Sequence, residues 1–186
     1  MRIWKSEAEF DLGAAVAALG TFDGVHIGHQ ALIRRAIRLA KEEGCACVVC
    51  TFDRHPLSLL RPELAPVPLM DLEEKLSKLA AMGVDGVLLK EFTPEFAAIE
   101  PLAYLENLKR DLNLRAIVAG FNYSFGAGGR GNADLIRGQA EKLGYRAEIV
   151  EAVQDGRDTV SSTLIRSLIR QGDHARAAQL LDLQVR

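Results

Sequence analysis

The sequence lacks the features that mark several large classes of protein. Its 186 residues contain no stretch near the roughly 20 apolar residues that a membrane-spanning helix needs. Lys and Arg total 23 against 25 Asp and Glu, so the formal net charge of −2 offers no basic excess for general binding to nucleic acid. The N-terminal residues carry no apolar signal segment, which makes the cytoplasm the expected compartment.

Cysteine is also scarce, and its pattern excludes a disulfide framework. The three residues, Cys45, Cys47 and Cys50, lie in one short segment, and an odd number cannot all be paired within the chain. Together with His55 they could form a Cys3His zinc site. In a strand, however, Cys45 and Cys47 would face away from Cys50, since successive side chains alternate. We therefore predict reduced thiols that act as small buried side chains.

Short apolar runs alternate along the chain with longer segments of helical periodicity. Predicted strands cover 14–20, 46–52, 84–90, 115–120 and 146–153. Predicted helices cover 29–43, 71–82, 101–113 and 133–143, and two shorter ones, 163–170 and 173–181, follow a turn at Asp155-Gly156. Each of the four longer helices lies between two apolar strands, the pattern of repeated strand–helix–strand units.

This alternation predicts an α/β fold with an open, doubly wound parallel sheet of about five strands. We expect one domain over 1–186, with an α/β core in 1–158 and a phosphate-binding helix start with C-terminal helices in 159–186. Ligands of such folds bind beyond the carboxyl ends of the strands, near the point where the strand order reverses. The residues after each strand are therefore the candidates for a site.

Two histidines follow the first predicted strand, in the stretch 20–30 (GTFDGVHIGHQ). His26 and His29 lie where the strand turns into a helix, whose N–H groups and partial positive charge attract phosphate. Imidazole N–H groups can donate to oxygens that gain charge as a phosphoanhydride breaks. Gly28, without a Cβ, would let a nucleotide approach the backbone. The alternative is that both histidines are ordinary polar residues of a helix start.

Hydroxyl groups and an arginine follow the last predicted strand. Ser161, Ser162 and Thr163 precede Arg166, which lies three residues beyond Thr163 and on the same side of the first helical turn. Helix capping is the simpler interpretation, but a cap uses one hydroxyl and three are present. We predict that this segment holds the β- and γ-phosphates of a nucleotide.

A glycine-rich stretch, 120–132, follows the fourth predicted strand. Gly126, Gly128 and Gly131 have the spacing of a dinucleotide fingerprint, and Glu151 follows at about the required distance of 20 residues. The first glycine of that fingerprint should leave the strand at once, whereas here several residues intervene. We favour a flexible loop that folds over a ligand, and a plain surface loop is the alternative.

Taken together, these segments resemble the adenylyltransferase domain of the bacterial bifunctional riboflavin kinase/FMN adenylyltransferase family. The His-x-Gly-His stretch alone is typical of the broad superfamily of HIGH-type nucleotidyltransferases, and the combination is more specific. The resemblance is carried by 20–30, Thr51-Phe52-Asp53-Arg54-His55-Pro56, Glu74-Lys75, 92–97 (FTPEFA), 120–131 and 161–166 (SSTLIR).

The resemblance implies a Rossmann-like FMN adenylyltransferase that transfers AMP from Mg-ATP to FMN, giving FAD and pyrophosphate. It implies ATP and FMN as partners, Mg²⁺ carried by the ATP phosphates, no metal-ligating residues, and neither nucleic acid nor membrane. The implied catalytic residues are His26, His29 and Arg166. The implied ATP-binding residues are Gly20, Thr21, Phe22, Asp23, Gly28, Ser161, Ser162 and Thr163. The implied flavin-binding residues are Asn122, Phe125, His55 and Pro56.

The chain departs from the family pattern in three places. Leu164 stands where the family usually has a second arginine, and Arg54 stands where it commonly has proline. No riboflavin kinase domain follows, so we expect no phosphorylation of riboflavin. Two alternatives stay open: another enzyme of the superfamily, such as a cytidylyltransferase, and a relic that binds nucleotide or flavin without turnover. The sequence leaves the oligomeric state open.

Overall fold

A six-stranded parallel β-sheet runs through residues 1–182, the part of the chain that the structure, a computed structural model, describes. Its strands are β1 (Arg2–Trp4), β2 (Ala15–Leu19), β3 (Ala46–Phe52), β4 (Gly86–Lys90), β5 (Leu114–Gly120) and β6 (Arg146–Val150). The spatial order is β1-β4-β3-β2-β5-β6, and every neighbouring pair is parallel. The order reverses between β2 and β5, so the predicted doubly wound α/β fold is confirmed.

Eight α-helices occur in the described range, and side-chain caps fix where several of them begin. They are α1 (Ile27–Glu43), α2 (Leu57–Leu60), α3 (Leu72–Ala81), α4 (Pro94–Ala97), α5 (Pro101–Asp111), α6 (Ala133–Leu143), α7 (Ser162–Gln171) and α8 (His174–Leu181). Asp71 accepts a hydrogen bond from the N–H of Glu74 at the start of α3, as the sequence predicts for a helix start there. Gly44 ends α1 in the left-handed conformation, at the predicted position.

Helices cover both faces of the sheet, which is why β2, at its centre, is fully buried. Val16 and Ala18 of β2 face the core that α1 and α3 build, with Ile33 and Leu79 among its fully buried side chains. The alternate residues of β2 face a second core, built by α5 and α6, in which Leu105 is fully buried. Burial on both faces explains why the strands are continuous apolar runs.

The cysteines lie as the strand alternation predicts. Cys47 packs in the core on the α1 side, with Cys45 against it, and Cys50 packs in the core on the α5 side. Burial raises the pKa of Cys47 to about 12 and also raises the pKa of Cys50, so both thiols stay protonated at neutral pH. Within residues 1–182, no group of three or more His, Cys, Asp or Glu side chains is arranged to hold a metal ion.

The structure differs from the prediction mainly in short elements. The strand β1 was not predicted; it pairs with β4 at the sheet edge, and its three residues are too few to display a period. The helices α2 and α4 have four residues each and escape prediction for the same reason. The predicted turn at Asp155-Gly156 is the tip of a hairpin between β7 (Gln154–Asp155) and β8 (Asp158–Thr159).

The last two helices pack on each other and bury a third apolar cluster that contains Ile165 and Leu180. The end of α8 is joined to the main body by two hydrogen bonds: Gln30 donates to the carbonyl of Asp182 at 2.8 Å, and Lys78 donates to that of Leu181 at 3.0 Å. The predicted division at residue 158 stays a prediction, and its residues 183–186 lie outside the described part. None of the described helices is both long and apolar enough to cross a membrane.

Candidate active site

One cleft, with a volume of about 760 Å³, opens beyond the carboxyl ends of β2, β3 and β5. This is the edge at which ligands bind in doubly wound sheets. Every predicted site residue lines the cleft: Gly20, Thr21, Phe22, Asp23, His26, Gly28, His29, His55, Pro56, Asn122, Phe125, Ser161, Ser162, Thr163 and Arg166. The structure thus brings together segments that are far apart in sequence, and the role of each residue stays a prediction.

His26 and His29 form a stacked pair at the start of α1. Their ring centroids are 3.6 Å apart, and the planes make an angle of 18°. His26 is the N-cap of the helix, because its Nδ1 accepts a hydrogen bond from the N–H of His29 at 3.3 Å. A neutral imidazole that accepts at Nδ1 carries its proton on Nε2. His26 therefore has an N–H donor left for a ligand.

Burial keeps both imidazoles uncharged at neutral pH. It lowers the pKa of His26 to about 4, against the smaller effect of a backbone hydrogen bond. Burial also lowers the pKa of His29 well below its usual value, and the nearby His26 and Lys75 add to this effect. The Nδ1 atom of His29 is inaccessible to solvent and has no hydrogen-bond partner within residues 1–182. The pair can thus offer N–H donors without positive charge.

The loop between β2 and α1 has an unusual backbone conformation. Phe22 and Val25 have φ angles of 50° and 40°, a region that β-branched residues such as valine rarely adopt. Such residues cost about 1–3 kcal/mol each and persist only where their surroundings fix them. Both side chains are fully buried, Gln30 donates to the Val25 carbonyl at 2.9 Å, and Thr51 donates to the Thr21 carbonyl at 3.0 Å. The loop that delivers His26 is therefore held rigidly from several sides.

Asp23 ties this loop to the start of α7. Its carboxylate forms an ion pair with Arg166 and accepts a hydrogen bond from the N–H of Leu69 at 2.9 Å. Arg166 also donates from Nε to the carbonyl of Val67 at 2.8 Å, and Ser162 donates from Oγ to the carbonyl of Asp23 at 2.9 Å. Polar groups of the predicted phosphate segment are therefore bound within the protein in this structure.

The hydroxyls at the start of α7 have different surroundings. Ser161 is the N-cap and accepts a hydrogen bond from the N–H of Leu164 at 3.2 Å, so capping accounts for one of the three hydroxyls. Ser162 binds the Asp23 carbonyl, whereas Thr163 is exposed. The side chain of Leu164 packs against the cluster between α7 and α8 and does not line the cleft.

Aromatic side chains that line the same cleft form a wall of contacting rings. Phe52, Phe92 and Phe96 contact one another edge to face, with centroids 5.2 to 5.8 Å apart, and Phe96 contacts Tyr104 at 5.9 Å. Phe125 continues the wall beside Tyr104 at 5.5 Å. The sequence reasoning singled out Phe125 alone. Phe52 belongs to 51–56 and Phe92 and Phe96 to 92–97, two segments that carry the resemblance, whereas Tyr104 lies in none of those segments.

The predicted flavin residues line the same cleft as these rings, and Phe125 is one of the rings. His55 accepts a hydrogen bond at Nδ1 from the N–H of Leu57 at 3.1 Å, and with Pro56 it leads into α2. Burial lowers the pKa of His55, as do the nearby Arg166 and Lys75, whereas Asp23 acts in the opposite direction.

The glycine-rich stretch forms a closed loop rather than a dinucleotide fingerprint. Phe125 and Gly131 exchange two backbone hydrogen bonds of 3.0 and 2.9 Å at its base. Arg130 binds both carboxylate oxygens of Glu100 at 2.6 and 2.7 Å. The next helix, α6, begins only at Ala133, so the glycines do not present its N-terminus to a ligand.

Known proteins of one family are similar to this chain over most of its length. The profile of a family described as FAD synthetase matches residues 9–164. A bifunctional riboflavin kinase/FMN adenylyltransferase from Listeria monocytogenes is 39% identical over 169 residues, which cover 89% of this chain and 53% of that protein. An FAD synthetase from the same species is 34% identical over 172 residues, covering 92% of this chain and 70% of that protein.

A solved structure shares the fold. The crystal structure of a protein described as a macrolide-efflux protein from Streptococcus pneumoniae has a TM-score of 0.81 and 28% identity, and it matches 96% of this chain and 59% of that one. The chain spans about half the length of the bifunctional relatives it matches. Because the family profile covers most of the sequence, this chain belongs to the FAD synthetase family.

Proposed function

We propose that this chain is an FMN adenylyltransferase that transfers AMP from Mg-ATP to the 5′-phosphate of FMN, giving FAD and pyrophosphate. The observation that carries the proposal is the meeting of two helix starts in one cleft, those of α1 and α7. One bears paired imidazoles, and the other bears hydroxyls and a guanidinium. An aromatic wall lies in the same cleft and suits a flat flavin ring.

The triphosphate would lie between the starts of α1 and α7. The first N–H groups of each helix have no partner within the helix, and they add to the partial positive charge at its end. Arg166 supplies a full positive charge, which Asp23 balances in the free protein. An incoming phosphate would take over the role of Asp23 as the anion beside Arg166. Thr163, exposed in the first turn, can donate its hydroxyl to the same phosphates.

The reaction needs little covalent work from the protein. An oxygen of the FMN phosphate attacks the α-phosphorus of ATP, and the bond from that phosphorus to the bridging oxygen of the β-phosphate breaks in line. The attacking phosphate has no proton to lose when it is a dianion, so the step needs no general base. Positioning and stabilisation of the charge on the phosphoryl oxygens are the protein's contributions.

The stacked histidines are suited to stabilising the charge on the phosphoryl oxygens. Since His26 is neutral and accepts at Nδ1, its Nε2–H is a donor that can stabilise charge developing on a phosphate oxygen. His29 supports the His26 ring by stacking and packs edge to face against Phe22, with centroids 5.3 Å apart. A neutral donor held in place in this way requires no reorganisation when the charge shifts.

Magnesium is proposed to enter with ATP. No group of three or more His, Cys, Asp or Glu side chains among residues 1–182 could hold a metal ion. We therefore propose an ion held mainly by the phosphates of ATP and by water, as Mg²⁺ commonly is in nucleotide sites. We propose ATP and FMN as the only substrates, in the cytoplasm, and the formal net charge of −2 favours small molecules over nucleic acid.

The test is to incubate the purified protein with Mg-ATP and FMN and to follow FAD by chromatography and pyrophosphate by a coupled assay. Equal amounts of both products support the proposal. A parallel reaction with Mg-CTP and candidate phosphates identifies a cytidylyltransferase if it alone releases pyrophosphate. FMN binding without any pyrophosphate release would contradict an enzymatic role and favour the binding relic.

A further inference from the structure

Lys75 is the one lysine or arginine that is buried within residues 1–182, with 8% of its surface exposed. It lies in α3 and is not among the residues that line the cleft. Burying an ammonium group is costly unless hydrogen bonds replace its hydration. Two hydrogen bonds to backbone carbonyls replace the hydration of the Lys75 ammonium group.

The ammonium group of Lys75 joins two strand ends. Its Nζ donates to the carbonyl of Phe52 at 3.0 Å and to that of Thr21 at 3.3 Å. Phe52 is the last residue of β3, and Thr21 follows the end of β2. Thr51 also donates to the Thr21 carbonyl, so two buried side chains converge on this one oxygen. Beyond the backbone pairing of β2 and β3, Lys75 and Thr51 thus both link the ends of these two strands.

Each of these strand ends begins one half of the proposed site. Beyond Thr21 comes the loop with φ-positive Phe22 that carries His26 and the phosphate-binding start of α1. Beyond Phe52 come His55 and Pro56, two of the four proposed flavin residues. In-line transfer between two substrates depends on their mutual alignment, and a misplacement near 1 Å can cost about a hundredfold in rate. Because Lys75 binds the start of both loops, its hydrogen bonds affect how the two substrates are aligned.

We propose that Lys75 is a positioning residue for the transfer reaction: by binding the carbonyls of Thr21 and Phe52 it aligns the nucleotide half of the cleft with the flavin half. The proposal rests on the proposed function. Lys75 contacts neither substrate, and it acts through the two loops. It is therefore expected to control turnover more than the binding of either substrate alone.

The same helix offers a matched control. Lys78 lies one turn beyond Lys75 and also donates from Nζ to a backbone carbonyl, that of Leu181 at 3.0 Å, and neither residue lines the cleft. Lys75→Met removes the charge and both hydrogen bonds and shortens the side chain by only one atom. Lys75→Gln keeps a donor in place of the ammonium group. Lys78→Met repeats the first change at the control position.

The test compares these variants by kcat and by KM for ATP and for FMN, each normalised to folded protein. We expect Lys75→Met to lower kcat about a hundredfold, Lys75→Gln to recover part of this loss, and Lys78→Met to match the wild type. Lys75→Met with wild-type kcat would overturn the proposal, and so would a loss explained by the folded fraction alone. Should Lys75→Met fail to fold, Lys75→Gln is compared with the wild type instead. A kcat below that of the wild type is then expected, and a wild-type kcat would overturn the proposal.

A second readout does not depend on turnover. Burial lowers the pKa of His55 most, the charge of Asp23 raises it, and the charges of Arg166 and Lys75 lower it further. Removing the charge of Lys75 should therefore raise the pKa of His55 in an NMR titration, and Lys78→Met should leave it unchanged. If the wild type makes no FAD, the proposed function fails, and this titration still tests the placement of Lys75. An unchanged pKa of His55 in Lys75→Met would overturn that placement.

Discussion

Asp23 and Arg166, 143 residues apart in sequence, form an ion pair that joins the loop behind β2 to the start of α7. Both side chains are mostly buried, with 14% and 17% of their surfaces exposed. The guanidinium proposed to bind phosphate thus has an anionic partner before any nucleotide arrives. Binding a triphosphate would exchange one anion for another, so Arg166 need not lie buried and uncompensated in the free protein.

Replacing Arg166 by Ala should weaken ATP binding more than it weakens FMN binding. Charge-assisted hydrogen bonds contribute about 1.5–3 kcal/mol, which corresponds to a rise of about 10- to 100-fold in the KM for ATP. Arg170→Ala, an exposed arginine one turn later in α7, is the control and should behave as the wild type. An effect confined to the KM for FMN would mean that the two halves of the cleft have been assigned the wrong way round.

Replacing His26 by Asn separates its two roles. Asn is a favoured N-cap, so the start of α1 should be preserved, whereas the Nε2–H donor is lost. Loss of a donor to the transition state typically lowers kcat by about 10²–10³-fold. Steady-state kinetics measures the loss, and circular dichroism checks the fold. Wild-type turnover in this variant would remove His26 from the mechanism.

The free energy of unfolding of His26→Asn should depend less on pH than that of the wild type. The pKa of His26 is about 4 in the folded protein, against the usual 6.5, so below pH 6.5 the unfolded chain binds a proton that the folded protein does not. Stability therefore falls as the pH drops from 6.5 towards 4, by up to about 3 kcal/mol from this group. Urea unfolding across this range should show a smaller fall for His26→Asn than for the wild type. Equal falls would contradict the lowered pKa.

Replacing Gly28 by Ala should lower activity without lowering stability. A Cβ at this position would lie 3.2 Å from two ring atoms of His26, so the imidazole has to shift by a few tenths of an ångström. Alanine is favoured over glycine within a helix, which offsets the crowding in the free energy of unfolding. We expect kcat to fall about tenfold through the displaced donor. A wild-type kcat would show that the ring tolerates the shift.

Gly138 offers the matched control for that change. It is exposed within α6, and no atom beyond its own helix lies within 4 Å of the position that a Cβ would take. Gly138→Ala should raise the free energy of unfolding by about 0.5–1 kcal/mol and leave kcat unchanged. Urea unfolding and the FAD assay measure the two effects. A comparable fall of kcat in both variants would mean that the Gly28 effect is not specific to the His26 contact.

Much of the fold was predictable from the sequence because its signals are local. The apolar runs of β2 and β3 are buried on both faces, so they stand out without any knowledge of their neighbours. Asp71 and Gly44 mark helix ends through hydrogen bonds and backbone angles that involve only adjacent residues. Elements of three or four residues, such as β1 and α2, escaped because so short a segment shows no period.

The segments that line the candidate site were predictable from the sequence, but the contacts between their side chains were not. His26, Ser162 and Arg166 each follow a strand, and parallel strands bring their carboxyl ends to one edge of a sheet, so their meeting in one cleft follows from the fold class. The cap that His26 provides to α1 was not predicted, since histidine is not a favoured N-cap. The sequence interpretation of Gly28 as room for a nucleotide omitted its contact with the His26 ring.

The sequence by itself determined the class of fold, the order of its elements and the segments that reach the cleft, because periodicity, capping and turn residues act over a few positions. Only the tertiary structure decided that Asp23 holds Arg166, that Lys75 binds two strand ends and that separate phenylalanines share one wall. Those relationships depend on distances of a few ångströms between residues far apart along the chain. Such distances are set by how the whole sheet and its helices pack, and no local pattern encodes them.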